Sequence, residues 1–302
     1  MRSGFIPLLI GLILAPSLLG VINRVKSFFA GRSGPSLWQT YYDLWKLLRK
    51  GAVYSSTTSW VFRAGPMVGL AAVIAAAMLA PLGSVPSPLG FSGDFILLVY
   101  LLGLLRFFTV IAALDTGSAF EGMGASREVQ FSALAEPALL LALASLARES
   151  ESLSLSEMLT AITVDSWTRI SAQLAMVSAA LLIVYLTENA RIPVDDPNTH
   201  LELTMIHEAM TLDHSGPDLA FILYSAALKL WVLGAILVAV VVPVRTGHAW
   251  IDGAAAIGGL FGLAVVIGVI ESCMARLRLI RVPQLLIVAS ALATLSLIVA
   301  LR

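Results

Sequence analysis

Charge is scarce in this chain. Only 13% of its 302 residues are Asp, Glu, Lys or Arg, roughly half the share found in an ordinary soluble domain. With 58% hydrophobic residues and a mean hydropathy of +0.90, it carries more apolar surface than one water-soluble core can hide. The bilayer is its natural solvent. An excess of either sign is also lacking: 19 Lys and Arg balance 19 Asp and Glu, so no overall field points to nucleic acid. Cysteine is nearly absent. Cys273 stands alone, which excludes an internal disulfide. One thiol also cannot hold an iron–sulfur cluster, which takes about four ligands, or a thiolate-bound nickel–iron centre. Any such redox metal must sit in a partner.

What the chain has is long apolar runs. A helix crossing the bilayer needs about 20 apolar residues. Eight runs qualify, near 5–22, 65–82, 95–114, 131–146, 170–186, 219–242, 251–270 and 283–301. The expected fold is all-α: a single integral membrane domain over 1–302 with about eight transmembrane helices. The first run has no small-residue cleavage site before Asn23, so it is read as a retained span rather than a signal peptide. Lys and Arg concentrate in the loops after spans one, three, five and seven, among them Arg24, Lys26, Arg32, Lys46, Arg127, Arg191 and Arg276. Positive loops stay in the cytoplasm, which places both termini on the other side of an inner (cytoplasmic) membrane. No repeat and no matched pair of broken helices is visible, against the common inverted-repeat transporter designs.

The first basic loop contains Tyr41, Leu44, Trp45 and Leu48 at helical spacing, with Asp43, Lys46, Arg49 and Lys50 between them. Such a helix lies in the interface plane, either as plain anchoring or as a docking site for a partner. Charged residues also occur inside apolar runs: Arg106, Glu136 and Lys229, with Glu188 and Glu271 closing spans five and seven. Lone charges in a bilayer are costly and usually face a protein or water interior. For Glu188 and Glu271 the plainer reading is placement at the interface.

The stretch 188–218 is the richest. It holds seven acids, Glu188, Asp195, Asp196, Glu202, Glu208, Asp213 and Asp218, against Arg191. Asp196-Pro197 can start a helix, and the apolar residues from Leu201 to Met210 then give it one buried face. Carboxylates crowded on such a helix lose hydration and repel one another, which favours proton exchange near neutrality. A solvated acidic face is the alternative. Arg191 is expected to pair with a carboxylate of its own loop, Glu188 or Asp195 first among them. His200, His207 and His214 recur every seven residues. On a continuous helix they would stand about 10.5 Å apart, too far to share a metal. Residues 115–128, with Glu121 and three glycines, read as a polar turn whose glycines permit close backbone approach or irregular conformations.

Glu188-Asn189-Ala190-Arg191-Ile192-Pro193-Val194-Asp195-Asp196-Pro197, followed by Glu202, resembles the fifth-span motif Glu-Thr-Asn-Arg-Ala-Pro-Phe-Asp-Leu-Pro of the complex I subunit 1 family. The continuation through His207-Glu208 and Leu212–Asp218 is similar to the hydrogenase-side members of that family, those of formate hydrogenlyase and hydrogenase-4. Gly31–Ser36 with Asp43 and Lys46, Phe120–Glu128, and Glu136 before Pro137 agree with it.

The resemblance implies a membrane anchor and proton- or ion-coupling subunit, non-catalytic or partly catalytic, in a complex I-related hydrogenase or formate hydrogenlyase. Its implied proton-path residues are Glu121, Glu136, Glu188, Asp195, Glu202, Glu208 and Lys229. Arg191, Arg106, Asp43 and Lys46 would serve ion pairing and docking. No cofactor is expected in this chain. Iron–sulfur clusters and a [NiFe] centre would lie in partners: the hydrogenase large and small subunits and an iron–sulfur subunit. Antiporter-like membrane subunits would be further partners, and the bilayer surrounds them. A quinone-reactive subunit of a respiratory NADH dehydrogenase is a second reading, although Asn189, Ala190 and Asp196 depart from that branch. A stand-alone transporter or scaffold is a third.

Overall fold

The computed structural model describes residues 4–195 and 205–301. Among these, eight helices are long and apolar enough to cross a membrane. They are α1 (Phe5–Phe29), α3 (Trp60–Leu79), α4 (Asp94–Asp115), α5 (Ala119–Ser150), α8 (Ser171–Glu188), α9 (Gly216–Val241), α10 (Ala249–Cys273) and α11 (Val282–Ala300). Three short helices join them: α2 (Gln39–Leu48), α6 (Leu155–Ala161) and α7 (Val164–Arg169). The chain is a multi-pass membrane protein.

Small residues let the spans approach, as they must where lipid offers no hydrophobic drive for association. Gly65 and Gly69 stand one turn apart on α3. A Cβ at Gly65 would come within 3.0 Å of Ala112 Cβ, and one at Gly69 within 2.7 Å of Leu105 Cδ1, both on α4. The most deeply buried span is α9, packed against α1, α3, α8 and α10. On the opposite flank α11 packs against α5 and α8. There Ser145 and Ser296 share a 2.7 Å hydrogen bond, and Gln173 Nε2 donates to Ser145 at 3.4 Å. These polar groups are satisfied across three helices, the condition for burying them in a bilayer. Pro16, Pro66 and Pro137 lie inside α1, α3 and α5 without ending them.

Alternating spans give the bundle two ends. At the basic end, Ser59 N–H donates to Asp115 Oδ2 at 2.6 Å and Val53 N–H to Ser215 Oγ at 3.0 Å. At the far end, Asp94 is fully buried, and its Oδ1 accepts from Leu155 N–H at 2.5 Å, closing α6 onto α4. The loop helix α2 forms where the stripe of Tyr41, Leu44 and Leu48 predicted it and lies against α1 and α9. Its Tyr41 hydroxyl donates to Ile13 O at 2.5 Å.

Two sequence expectations need correction. The polar stretch beginning near residue 115 is not an irregular turn: from Ala119 it is the first part of α5, which runs 32 residues without a break. The glycine there serves close packing. A Cβ at Gly124 would come within 2.8 Å of Ile206 O. Nor does a continuous helix run through His207 and His214. Residues 205–215 form turns around a single 3-10 turn, Ala209–Thr211.

Candidate functional site

Arg106 enters the bundle interior from the middle of α4, with 9% of its side chain exposed. It faces three carboxylates. Nη2 meets Glu188 Oε1 at 2.5 Å, Nε lies 3.5 Å from Glu128 Oε1, and Nη1 bonds Glu136. Glu128 and Glu136 stand eight residues apart on α5, a little over two turns, and so share one face. From α9, Lys229 Nζ approaches Glu188 Oε2 at 3.9 Å. Four spans thus converge on one polar cluster. Among the described residues two cations face three carboxylates, one carboxylate in excess.

A cavity of about 600 Å³ leads from this cluster toward the basic end. Arg106, Glu128, Glu188 and Lys229 line its inner part, and Asp43 of α2, Arg191, His207 and Glu208 line its outer part. Gly65, Pro66, Leu105 and Leu230 supply apolar wall. Glu136 lies elsewhere: its side chain is 40% exposed, on the outer face of the bundle near mid-span. The cluster therefore joins a loop-side cavity to the membrane-facing surface.

The turn after α8 shapes the cavity wall. Ala190 N–H bonds Thr187 O at 3.1 Å and Arg191 N–H bonds Leu186 O at 2.8 Å, with Ala190 at φ 48°. This is the double closure of a left-handed helix C-terminus. It directs Arg191 toward α10. Arg191 does not pair with Glu188 or Asp195 as the sequence suggested; its Nη1 lies 3.3 Å from Glu271 Oε1 on α10. Lys26 of α1 holds the other oxygen of Glu271 at 2.8 Å. Glu271 is accordingly buried and doubly paired, not an interfacial acid. Asp195 pairs with Arg276 at 2.7 Å and accepts His207 N–H at 3.2 Å.

The remaining expected residues are dispersed. Glu121 is buried in the first turn of α5, about 10 Å along the axis from Glu128. Lys46 is exposed on α2. Glu202, like His200 and Asp196, lies outside the described residues. His207 and His214 have different neighbours. His214 stacks on Phe62 at 3.9 Å between ring centroids. Burial pushes His214 down to about 4. Burial, with Lys229 nearby, does the same to His207, also to about 4. Both imidazoles are neutral at physiological pH.

Sequence reasoning missed Glu128 as a member of the cluster. The signal was available: the stretch from Ser118 to Glu136 holds no proline, and a helix continued through it puts Glu128 and Glu136 on one face.

The pattern of the NADH dehydrogenase family matches residues 4–301. Formate hydrogenlyase subunit 4 of Escherichia coli K12 is 32% identical over 290 residues, covering 92% of each chain. Hydrogenase-4 component C of the same organism is 34% identical over 236 residues, 77% of this chain and 72% of that protein. A chain of the membrane-bound sulfane sulfur reductase, an archaeal respiratory membrane complex, superposes with a TM-score of 0.82 at 18% identity, covering 99% of this chain and 98% of that one. That likeness is one of fold.

Proposed function

The chain belongs to the NADH dehydrogenase family, in its subunit 1 branch, and on that premise we propose that it is the membrane anchor and ion-coupling subunit of a complex I-related hydrogenase or formate hydrogenlyase in the cytoplasmic membrane. The two curated relatives, both subunits of such complexes by name, support the class of assembly. A soluble arm bearing iron–sulfur clusters and a [NiFe] centre docks at the basic end, where α2 lies. Antiporter-like membrane subunits meet the flank that carries Glu136.

One observation carries the coupling role: the buried cluster reaches both the loop-side cavity and a half-exposed carboxylate on the outer flank. With one carboxylate in excess among the described residues, the cluster gains electroneutrality by taking up one proton. Arg106 touches all three carboxylates. Protonation of one frees the guanidinium for the other two, so charge shifts along α5 without a large movement of backbone. Moving one charge across the membrane is worth about 2.3 kcal/mol per 100 mV. A change of one pKa unit is about 1.4 kcal/mol, so modest changes in the docked arm suffice to drive transfer.

The test is Glu136→Gln in the assembled complex. The substitution keeps shape and hydrogen bonding and removes titration. Assembly and binding of the redox arm stay normal, while potential-linked turnover falls at least tenfold, about 1.4 kcal/mol of barrier. Full coupled turnover with normal assembly rejects the role.

A second reading has one observation in its favour. The cavity's volume and partly apolar wall suit a flat ring-headed ligand such as a quinone. Reduction of added quinone by the purified complex, sensitive to bulky substitution at Leu230, separates it from the first.

A further inference from the structure

A second concavity, unconnected with the charged cluster, opens at the basic end between the last turn of α1 and the last third of α10. It is a groove of about 490 Å³, and six of its residues carry the argument: Arg24, Phe28, Arg32, Ser33, Val265 and Val269. Local structure builds it. The helix α1 ends on Gly31 at φ 65°, a backbone conformation that glycine adopts without steric cost. Gly31 N–H bonds Phe28 O at 3.1 Å and Arg32 N–H bonds Ser27 O at 3.0 Å. This closure reverses the chain. Arg24 Nη1 then donates to Gly34 O at 3.2 Å, holding the returning loop against the helix that precedes it. Arg32 and Ser33 are thereby placed beside Arg24 on one rim of the groove. The floor is set by a close approach of α1 and α10, where a Cβ at Gly268 would come within 2.7 Å of Val25 Cβ.

The groove is amphipathic along its length. Two exposed guanidiniums and a hydroxyl crown it at the level where the span ends. Val265 and Val269 line the part that runs toward the bilayer, Val265 being 43% exposed, while Phe28, one turn beyond Arg24 on α1 and 81% exposed, flanks the mouth. Among the described residues no carboxylate lines it. The nearest acid on α10, Glu271, has a fully buried side chain and is neutralised by Lys26 and Arg191. Two cations with no facing acid among the described residues, above an apolar slot, complement a phosphodiester anion that carries acyl chains. Arginine binds phosphate through planar paired donors, and basic pockets between spans on the cytoplasmic side hold anionic head groups. A zwitterionic head group would bring an ammonium against Arg24 and Arg32.

We propose that this groove between α1 and α10 is a specific site for an anionic phospholipid of the phosphatidylglycerol type, its phosphate on Arg24 and Arg32 and one acyl chain along Val269 and Val265.

The experiment uses the assembled membrane complex in nanodiscs doped with photoactivatable phosphatidylglycerol or, separately, the matching phosphatidylcholine. Cross-linked residues are mapped by mass spectrometry. The expected result is labelling at Val265 and Val269 at least tenfold stronger with the anionic lipid. The double variant Arg24→Gln, Arg32→Gln loses that preference while labelling elsewhere on the lipid-facing surface is unchanged. Millimolar inorganic phosphate leaves the labelling intact, which separates a lipid site from a plain anion site. Equal labelling by the two lipids, displacement by phosphate, or cross-links from the groove to a partner subunit instead of lipid each overturn the proposal. Should the double variant fail to assemble, the comparison of lipids on the unaltered complex decides the matter alone.

Discussion

Ala190 holds a left-handed backbone conformation, φ 48°, in the turn that closes α8. For an L-residue that conformation costs about 1–2 kcal/mol, and asparagine tolerates it better. The family motif has Asn at this position, one residue later than the Asn189 of this chain. Ala190→Asn is therefore expected to raise the melting temperature of the solubilised protein, with a gain of up to about 1 kcal/mol; a lower melting temperature would count against strain there. His214 gives a prediction of opposite kind. Its folded pKa, near 4, lies below the unfolded value of about 6.5. The unfolded chain therefore binds the proton first, so stability rises with pH across that window. The contribution is full above about 6.5 and is lost as pH falls toward 4. Hydrogen exchange in residues 205–215 should quicken, relative to its intrinsic rate, over that range. His214→Phe keeps the stack on Phe62 and removes the proton, so the profile should flatten, leaving the slope that belongs to His207. An unchanged profile in that variant would place the pH response elsewhere.

At the scale of the element, α5 is the instructive case. Apolar runs made the eight spans legible because the bilayer imposes length and hydropathy on each one independently. The same signal hid the first part of α5, since residues 119–130 are polar and glycine-bearing yet helical. Tertiary packing decides that stretch. Arg127 Nη1 donates to Met205 O at 2.9 Å, and Gly124 admits the backbone of Ile206. The pairing of Arg191 with Glu271 was illegible for a related reason. Sequence distance favoured Glu188, whereas the turn at Ala190 sends the guanidinium toward α10, 80 residues away. Gly124→Leu tests the docking of loop on helix. A Cβ there would lie 2.8 Å from Ile206 O and 2.9 Å from Ala209 Cβ, so the loop must shift, at a cost of about 1–3 kcal/mol. The expected outcome is normal insertion of all spans, lost protection of residues 205–210 in hydrogen exchange, and reduced coupled turnover. Full protection would mean that α5 and the loop move together without strain.

For the whole molecule, Arg106, Glu136, Glu188 and Lys229 were each conspicuous in sequence as charges within or at the ends of apolar runs, and the fold gathers all four with Glu128. Their convergence required knowing which spans are neighbours, which hydropathy does not encode. Orientation is the property that sequence addresses and coordinates alone do not. The loops after α1, α4, α8 and α10 share one end of the bundle, and that end carries most of the Lys and Arg. Charges of that kind resist translocation, so this end should face the cytoplasm. The chain carries its own reporter. Cys273, the single cysteine, is exposed where α10 ends at the basic face. A membrane-impermeant maleimide should label it in inverted vesicles and leave it unlabelled in right-side-out vesicles. The complementary variant is Leu153→Cys in a Cys273→Ser background, because Leu153 is 52% exposed in the loop between α5 and α6 at the far end. That cysteine should react only in right-side-out vesicles. If a docked partner covers Cys273 in the native membrane, stripping the soluble arm with high salt should restore its labelling from the same side. Reversal of both patterns would turn the bundle over and place the cavity mouth, α2 and the two groove arginines outside the cell, away from any cytoplasmic redox arm.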